Sequence, residues 1–193
     1  MPPIILASSS PYRRQLLERL QLPFTWQAPN INEQPQVNET PIELVKRLSI
    51  QKAKALSHAH HNHLIIGSDQ VAVLDGKVIT KPGNHTNAKK QLRAASGNTL
   101  NFFTGLCVYN SQTQSTQIEV VKCVAAFKDL SDQQIERYLQ KDQPYDCAGS
   151  FKAESLGISL FEYIRTDDPN SLIGLPLIAL CRMLSNEGID ILT

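Results

Sequence analysis

The chain has 193 residues, 41% of them hydrophobic, with 19 basic and 18 acidic side chains for a formal net charge of +1. That length can bury a real core in one domain or two small lobes, and the balanced charge argues against nucleic acid polymers as partners. Cys107, Cys123, Cys147 and Cys181 stand far apart without a Cys-x-x-Cys pair, which speaks against zinc and a disulfide framework; no secretory leader or run of ~20 apolar residues is seen, so a cytoplasmic protein is expected.

Ile4, Ile5 and Leu6 read as a buried strand that turns directly into a helix, with Ser10 as N-cap and Pro11 at the first helical position. Arg13 and Arg14 then fall in the first turn, against the helix dipole. Either they are solvated surface residues, or an anion joins them and the free backbone N–H groups. Phe24 to Ala28 can form a strand, followed by a polar loop from Asn30 to Pro35 whose only acid is Glu33. Thr40-Pro41-Ile42-Glu43 offers a capping box opening a helix to about Ser57 or Ala59. At about 100° per residue, Leu44, Val45, Leu48, Ala55 and Leu56 share one stripe, and Lys46, Arg47 and Lys54 lie opposite. Lys52 lands inside the apolar stripe, where it must either meet an anion or snorkel outward.

His63 to Leu74 and Lys77 to Pro82 flank Asp75-Gly76, a two-residue hairpin turn. With Leu74 facing Lys77, the register carries Gln70 opposite Lys81 and makes Asp69 and Lys81 near neighbours. Asp69, at the polar end of an apolar strand, is either a salt-bridged strand-end residue or a metal ligand or base. A helix is expected over Asn84 to Ala95, strands at Thr99 to Tyr109 and Thr116 to Phe127, and a helix capped at Ser131 with Ile135, Tyr138 and Leu139 on one face. Asp146 to Phe151 is a small-residue loop suited to close ligand approach; Glu154 and a strand near Ile158 to Tyr163 follow, and Pro176 opens a last helix ended by Gly188. His58, His60, His61 and His63 lack metal-site spacing, and Trp26 and the phenylalanines read as core.

Taken together, Ala7-Ser8-Ser9-Ser10-Pro11-Tyr12-Arg13-Arg14, Gln51-Lys52-Ala53-Lys54, Gly67-Ser68-Asp69-Gln70, Lys81-Pro82, Ser96-Gly97, Ala148-Gly149 and Gly174-Leu175-Pro176 resemble the Maf family of nucleoside triphosphate pyrophosphatases, almost end to end. Tyr12, Gly67-Ser68-Asp69-Gln70 and Phe151-Lys152-Ala153-Glu154 are most similar to its branch associated with 7-methyl-GTP. The resemblance implies an α/β fold, a mixed twisted sheet flanked by helices in a Maf-like (ITPase-like) architecture. It would be a single domain over residues 1–193 with a cleft between two lobes, the second formed by the middle strands and the helix near 131–142. It further implies a divalent cation, Mg²⁺ or Mn²⁺, and cleavage of a nucleoside triphosphate to monophosphate and diphosphate. Asn30 and Asn32 stand where the family usually carries more acid, so a metal would lean on Glu33 and Asp69; Thr80 replaces a glycine common before Lys-Pro.

On this reading Asp69 is the proton acceptor, Glu33 orients the metal, and Lys52 and Lys81 complete the catalytic set. Ser8, Ser10 and Arg13 bind phosphate, while Tyr12, Gln70 and Glu154 read the base. An aromatic face and a carboxylate suit 7-methylguanine, whose ring is cationic. A dTTP or UTP pyrophosphatase is the first alternative, although that branch usually carries arginine where Tyr12 stands. The second is a nucleotide-binding cell-division regulator without turnover, against which the joint presence of Glu33, Lys52, Asp69 and Lys81 speaks. The expected partner is the small nucleotide, with neither membrane nor nucleic acid; a homodimer stays open.

Overall fold

A computed structural model describes residues 2–192. In chain order the elements are β1 (Ile4–Ala7), α1 (Pro11–Glu18), β2 (Phe24–Gln27), α2 (Pro41–Ala55), β3 (Leu64–Leu74), β4 (Lys77–Ile79), α3 (His85–Ala95), β5 (Thr99–Asn110), β6 (Thr116–Phe127), α4 (Asp132–Asp142), β7 (Phe161–Thr166) and α5 (Leu177–Asn186). The strands form a mixed sheet in the order β2-β1-β3-β5-β6-β7, with β4 paired to β3. The chain divides into two compact units. The first holds residues 1–70, 103–121 and 168–193, the second 71–102 and 122–167. No helix among the described residues is long and apolar enough to cross a membrane.

In the first unit β1 runs parallel to both β2 and β3, Ile4 standing beside Leu64 and Ala7 beside Gly67. Alternation then sends Ile4, Leu6, Leu64 and Ile66 to one face, where they pack with Leu16 and Leu17 of α1 and Leu180 and Leu184 of α5. Ile5, Ala7 and Ile65 face the other way, onto Ala53 and Leu56. Burial on both faces is why these strands read as unbroken apolar runs. Trp26 departs from its expected place in the core: on β2 it is 53% exposed, with the Arg14 guanidinium 4.6 Å from its ring centroid.

Helix α2 begins in the expected capping box, Thr40 and Glu43 exchanging bonds, but ends at Ala55 rather than near Ser57. Leu56 and Ser57 donate to Ala53 and Lys54 carbonyls, so the last turn tightens and the helix closes. Its buried stripe is Leu44, Val45, Leu48, Ser49, Lys52 and Ala53; Ala55, expected in the stripe, is exposed. Ahead of α5, the buried Asp168 carboxylate accepts from the N–H groups of Ile178 at 2.6 Å and Ala179 at 3.2 Å. Pro176 therefore sits one position before the helix instead of inside it. Asp168→Ala leaves these donors without their acceptor and is expected to cost about 2 kcal/mol, read as a lowered urea midpoint at unchanged slope.

In the second unit β3 continues through the turn Asp75 (φ 49) and Gly76 (φ 76) into β4, the two positive φ values of a type I′ hairpin. The expected register holds for Leu74, Val73 and Ala72 against Lys77, Val78 and Ile79, but pairing stops there, short of Lys81. The reason lies in α3, whose Gln91 and Asn87 side chains donate to the Thr80 and Pro82 carbonyls and draw the chain out of the ladder. Phe102, Phe127, Phe151 and Phe161 pack edge-to-face as the core of this unit. The strand expected from Ile158 begins only at Phe161, because Leu156–Leu160 form a 3₁₀ turn. Gly157 allows it: a Cβ there would lie 2.4 Å from the Lys152 carbonyl oxygen.

Candidate active site

Two glycines bring α2 onto the sheet. A Cβ on Gly67 would stand 2.2 Å from the Ser49 carbonyl oxygen, and one on Gly105 would stand 2.4 Å from that of Val45. This close approach sets Lys52 against the strand that carries Asp69. The Lys52 ammonium lies 2.6 Å from Asp69 Oδ1 and 3.2 Å from Glu33 Oε1. Lys52 and Asp69 are buried, while the Glu33 side chain is 56% exposed. Lysine in the apolar stripe thus meets anions rather than snorkelling, and two carboxylates offset the cost of its burial.

The Glu33 loop is held by a residue that the sequence placed on the solvated side of α2. Arg47 grips Glu39 through Nε at 2.6 Å and Nη2 at 2.7 Å, and Nη2 also donates to the Gln34 carbonyl at 3.1 Å. Hydrogen bonding from this fork lowers the pKa of the Glu39 carboxyl. The clue was Glu39 eight residues before Arg47, too far for a helix-face pair and legible only once the loop folds back.

At the β1–α1 turn Ser8 is buried and its Oγ accepts from Ser10 N at 3.1 Å; Ser10 Oγ accepts from Arg13 N at 3.4 Å, as the predicted N-cap. Tyr12 and Arg13 follow, both half-buried. Arg13 Nε donates to the Gly174 carbonyl at 2.8 Å. Burial pushes the guanidinium below its ordinary pKa, and the negative charges of Asp69 and Glu33 oppose that shift. Arginine nevertheless stays protonated at neutral pH. Gly174 has φ +117, and a Cβ there would come within 3.3 Å of Arg13 Nε, so two constraints favour glycine. Ser68 Oγ approaches the same Gly174 carbonyl at 2.9 Å and that of Gly105 at 2.7 Å. Ser68 thereby links the strand position before Asp69 to the carbonyl that anchors Arg13, a tie that local spacing could not disclose.

Gln70 Nε2 lies 3.0 Å from Thr104 Oγ1, 2.7 Å from the Ser171 carbonyl and 3.1 Å from that of Leu172. Its amide nitrogen is therefore engaged within the protein. Lys81 and Glu154 belong to the second unit. Lys81, Thr80, Pro82, Asn87, Lys90 and Gln91 line an open depression of about 260 Å³. Glu154 is exposed as a residue, yet desolvation by neighbouring protein pushes its carboxyl above the usual range. Asp142 and Asp146 act in the same direction and Lys152 against it.

Among the described residues no three His, Cys, Asp or Glu side chains gather into a metal-binding group. Glu33 and Asp69 supply hard oxygen donors, a set that suits Mg²⁺ or Mn²⁺ when a phosphate chain contributes the remaining oxygens.

A buried ammonium shared by two carboxylates, with the Arg13 guanidinium at the start of α1 close enough to feel both, gathers four charged groups in one region of an α/β fold. The family model described as Maf-like protein matches residues 3–187, and the chain belongs to the Maf family. It is 55% identical over 192 residues to the 7-methyl-GTP pyrophosphatase of Methylobacillus flagellatus, covering 100% of both chains. It is 53% identical over 191 residues to the protein of that name in Pseudomonas syringae pv. syringae, covering 99% of this chain and 100% of the relative.

Proposed function

We propose that this protein is a nucleoside triphosphate pyrophosphatase that hydrolyses 7-methyl-GTP to 7-methyl-GMP and diphosphate, removing a modified nucleotide from the pool. The observation that carries the reading is the Glu33–Lys52–Asp69 array beside Arg13. The full-length relatives bearing that activity as their name support it.

Water attacks the α-phosphorus, a new phosphorus–oxygen bond forms, and the bond to the bridging oxygen of the β-phosphate breaks. Asp69 takes the water's proton. Its Oδ1 accepts from Lys52, which fixes the carboxylate's orientation and leaves Oδ2 to meet the water. Arg13, Lys52 and Lys81 are assigned to the phosphate oxygens and the charge that develops on the diphosphate. Because Ser8 and Ser10 use their oxygens as acceptors within the turn, their O–H protons can be given to phosphate. Glu33 and Asp69 would hold a divalent cation, which neutralises triphosphate charge when bound.

For the base, Tyr12 offers a π face and Gln70 its amide oxygen, since its nitrogen is engaged. Glu154 offers a carboxylate. A desolvated carboxyl with raised pKa gains most from a cation, so the charged 7-methylguanine ring would draw its pKa back down.

The test is diphosphate release from 7-methyl-GTP, GTP, dTTP, UTP and ITP, with Mg²⁺ or Mn²⁺ and with chelator. Metal-dependent release led by 7-methyl-GTP is expected, and Tyr12→Ala or Glu154→Ala should reduce that preference more than stability. Release led by dTTP or UTP would overturn the base assignment, and binding without release would favour the regulator.

A further inference from the structure

Gln91 on α3 does more than end the β3–β4 ladder, because both ends of its amide are used. Nε2 donates to the Thr80 carbonyl at 3.0 Å, and Oε1 accepts from Ser150 Oγ at 2.6 Å. Thr80 immediately precedes Lys81, and Ser150 opens the segment leading to Glu154. Ser150 is fully buried with φ 62, a conformation that costs a non-glycine residue and needs surrounding contacts to hold it. A side-chain amide donates and accepts at once, whereas glutamate cannot donate to Thr80 and lysine cannot accept from Ser150.

The post from which Gln91 reaches is itself braced. Arg93 makes a two-point pair with Asp132 at 2.6 Å for each bond, and Lys89 and His85 both contact Glu136, joining α3 to α4. Asn87 adds a second tie, to the Pro82 carbonyl at 3.0 Å.

We propose that Gln91 is a positioning residue that clamps the Lys81 segment and the Ser150–Glu154 segment from one side chain, so that phosphate binding and base reading are set together. This rests on the roles given above to Lys81 and Glu154. Breaking one arm should disturb one function, and breaking both should disturb both.

The test combines amide hydrogen exchange, followed by mass spectrometry, with kinetics on 7-methyl-GTP and GTP. Gln91→Met, which removes both bonds at similar volume, is expected to raise exchange in 79–84 and 148–153 while α4 stays protected. It should lower kcat/KM for 7-methyl-GTP. Ser150→Ala should loosen only 148–153 and lower the preference for 7-methyl-GTP over GTP by about fivefold, the worth of one hydrogen bond, with kcat on GTP kept. Gln91→Glu should loosen only 79–84 and slow both nucleotides alike, with no further loss in a Lys81→Ala background.

Unchanged exchange in Gln91→Met, or a rise spread through α4 as well, would overturn the clamp. Raised exchange at the two segments with rates and preference intact would overturn its role in positioning. If Lys81→Ala and Glu154→Ala are themselves silent while exchange responds as expected, the roles given to those two residues fail, and the functional part of the clamp with them.

Discussion

Asp69→Asn is expected to lower turnover by roughly a thousandfold, the scale of a lost general base, while nucleotide binding survives. The substitution preserves shape, and an amide oxygen can still accept from Lys52. What it removes is the capacity to take a proton, together with one negative charge. Arg13, Lys52, Glu33 and Asp69 carry charges that cancel; the variant leaves this group with a net positive charge. Triphosphate affinity, measured calorimetrically with chelator present, should therefore hold or tighten. Retained diphosphate release would refute the base assignment, and a collapse of affinity would mean that the carboxylate serves binding instead.

The largest effect on stability is expected at Gly67. A methyl group there would lie 2.2 Å from the Ser49 carbonyl oxygen and 2.8 Å from the Ala53 nitrogen, both in the backbone of α2. Neither is the end of a flexible side chain, so the helix must move. Overpacking against backbone falls at the upper end of the usual range, about 3 kcal/mol, or roughly 6–12 °C in unfolding temperature for a chain of this size. Displacement of α2 also carries Lys52 away from Asp69. Gly67→Ala should consequently lose activity even below its unfolding temperature, which a purely global destabilisation would not do. Thermal unfolding and diphosphate release from the same preparation separate the two, and an unchanged midpoint would overturn the packing argument.

The elements of the chain were largely legible because their signals are local. Caps at Ser10, Thr40 and Ser131, the turn at Asp75-Gly76 and the stripe Ile135, Tyr138, Leu139 each announce themselves within a few residues, and the structure agrees. The misplaced start of β7 shows where locality ends. Leu156 to Leu160 has strand-compatible composition, but Gly157 folds the chain onto Lys152, a contact that alternation does not encode. The site divides in the same way. Lys52 could be singled out because a charge interrupted an apolar stripe, and its two outcomes were separable only by knowing what faced it. Arg47, Ser68 and Gln91 left no such mark. Each is an ordinary polar residue in sequence, and each acts through a partner brought close by folding: Glu39 and Gln34, Gly174, and Thr80 with Ser150.

Trp26, the chain's single tryptophan, is half open to solvent on β2, with the Arg14 guanidinium over its ring. Arg14 belongs to the same helical turn as Tyr12 and Arg13. The protein thus carries one indole, with a cation over its ring that belongs to the helix start proposed above to bind phosphate. Movement of that turn alters the electric field at the indole and with it the emission wavelength, so any displacement of the turn on nucleotide binding would be read optically in unlabelled protein, without a second indole to contribute.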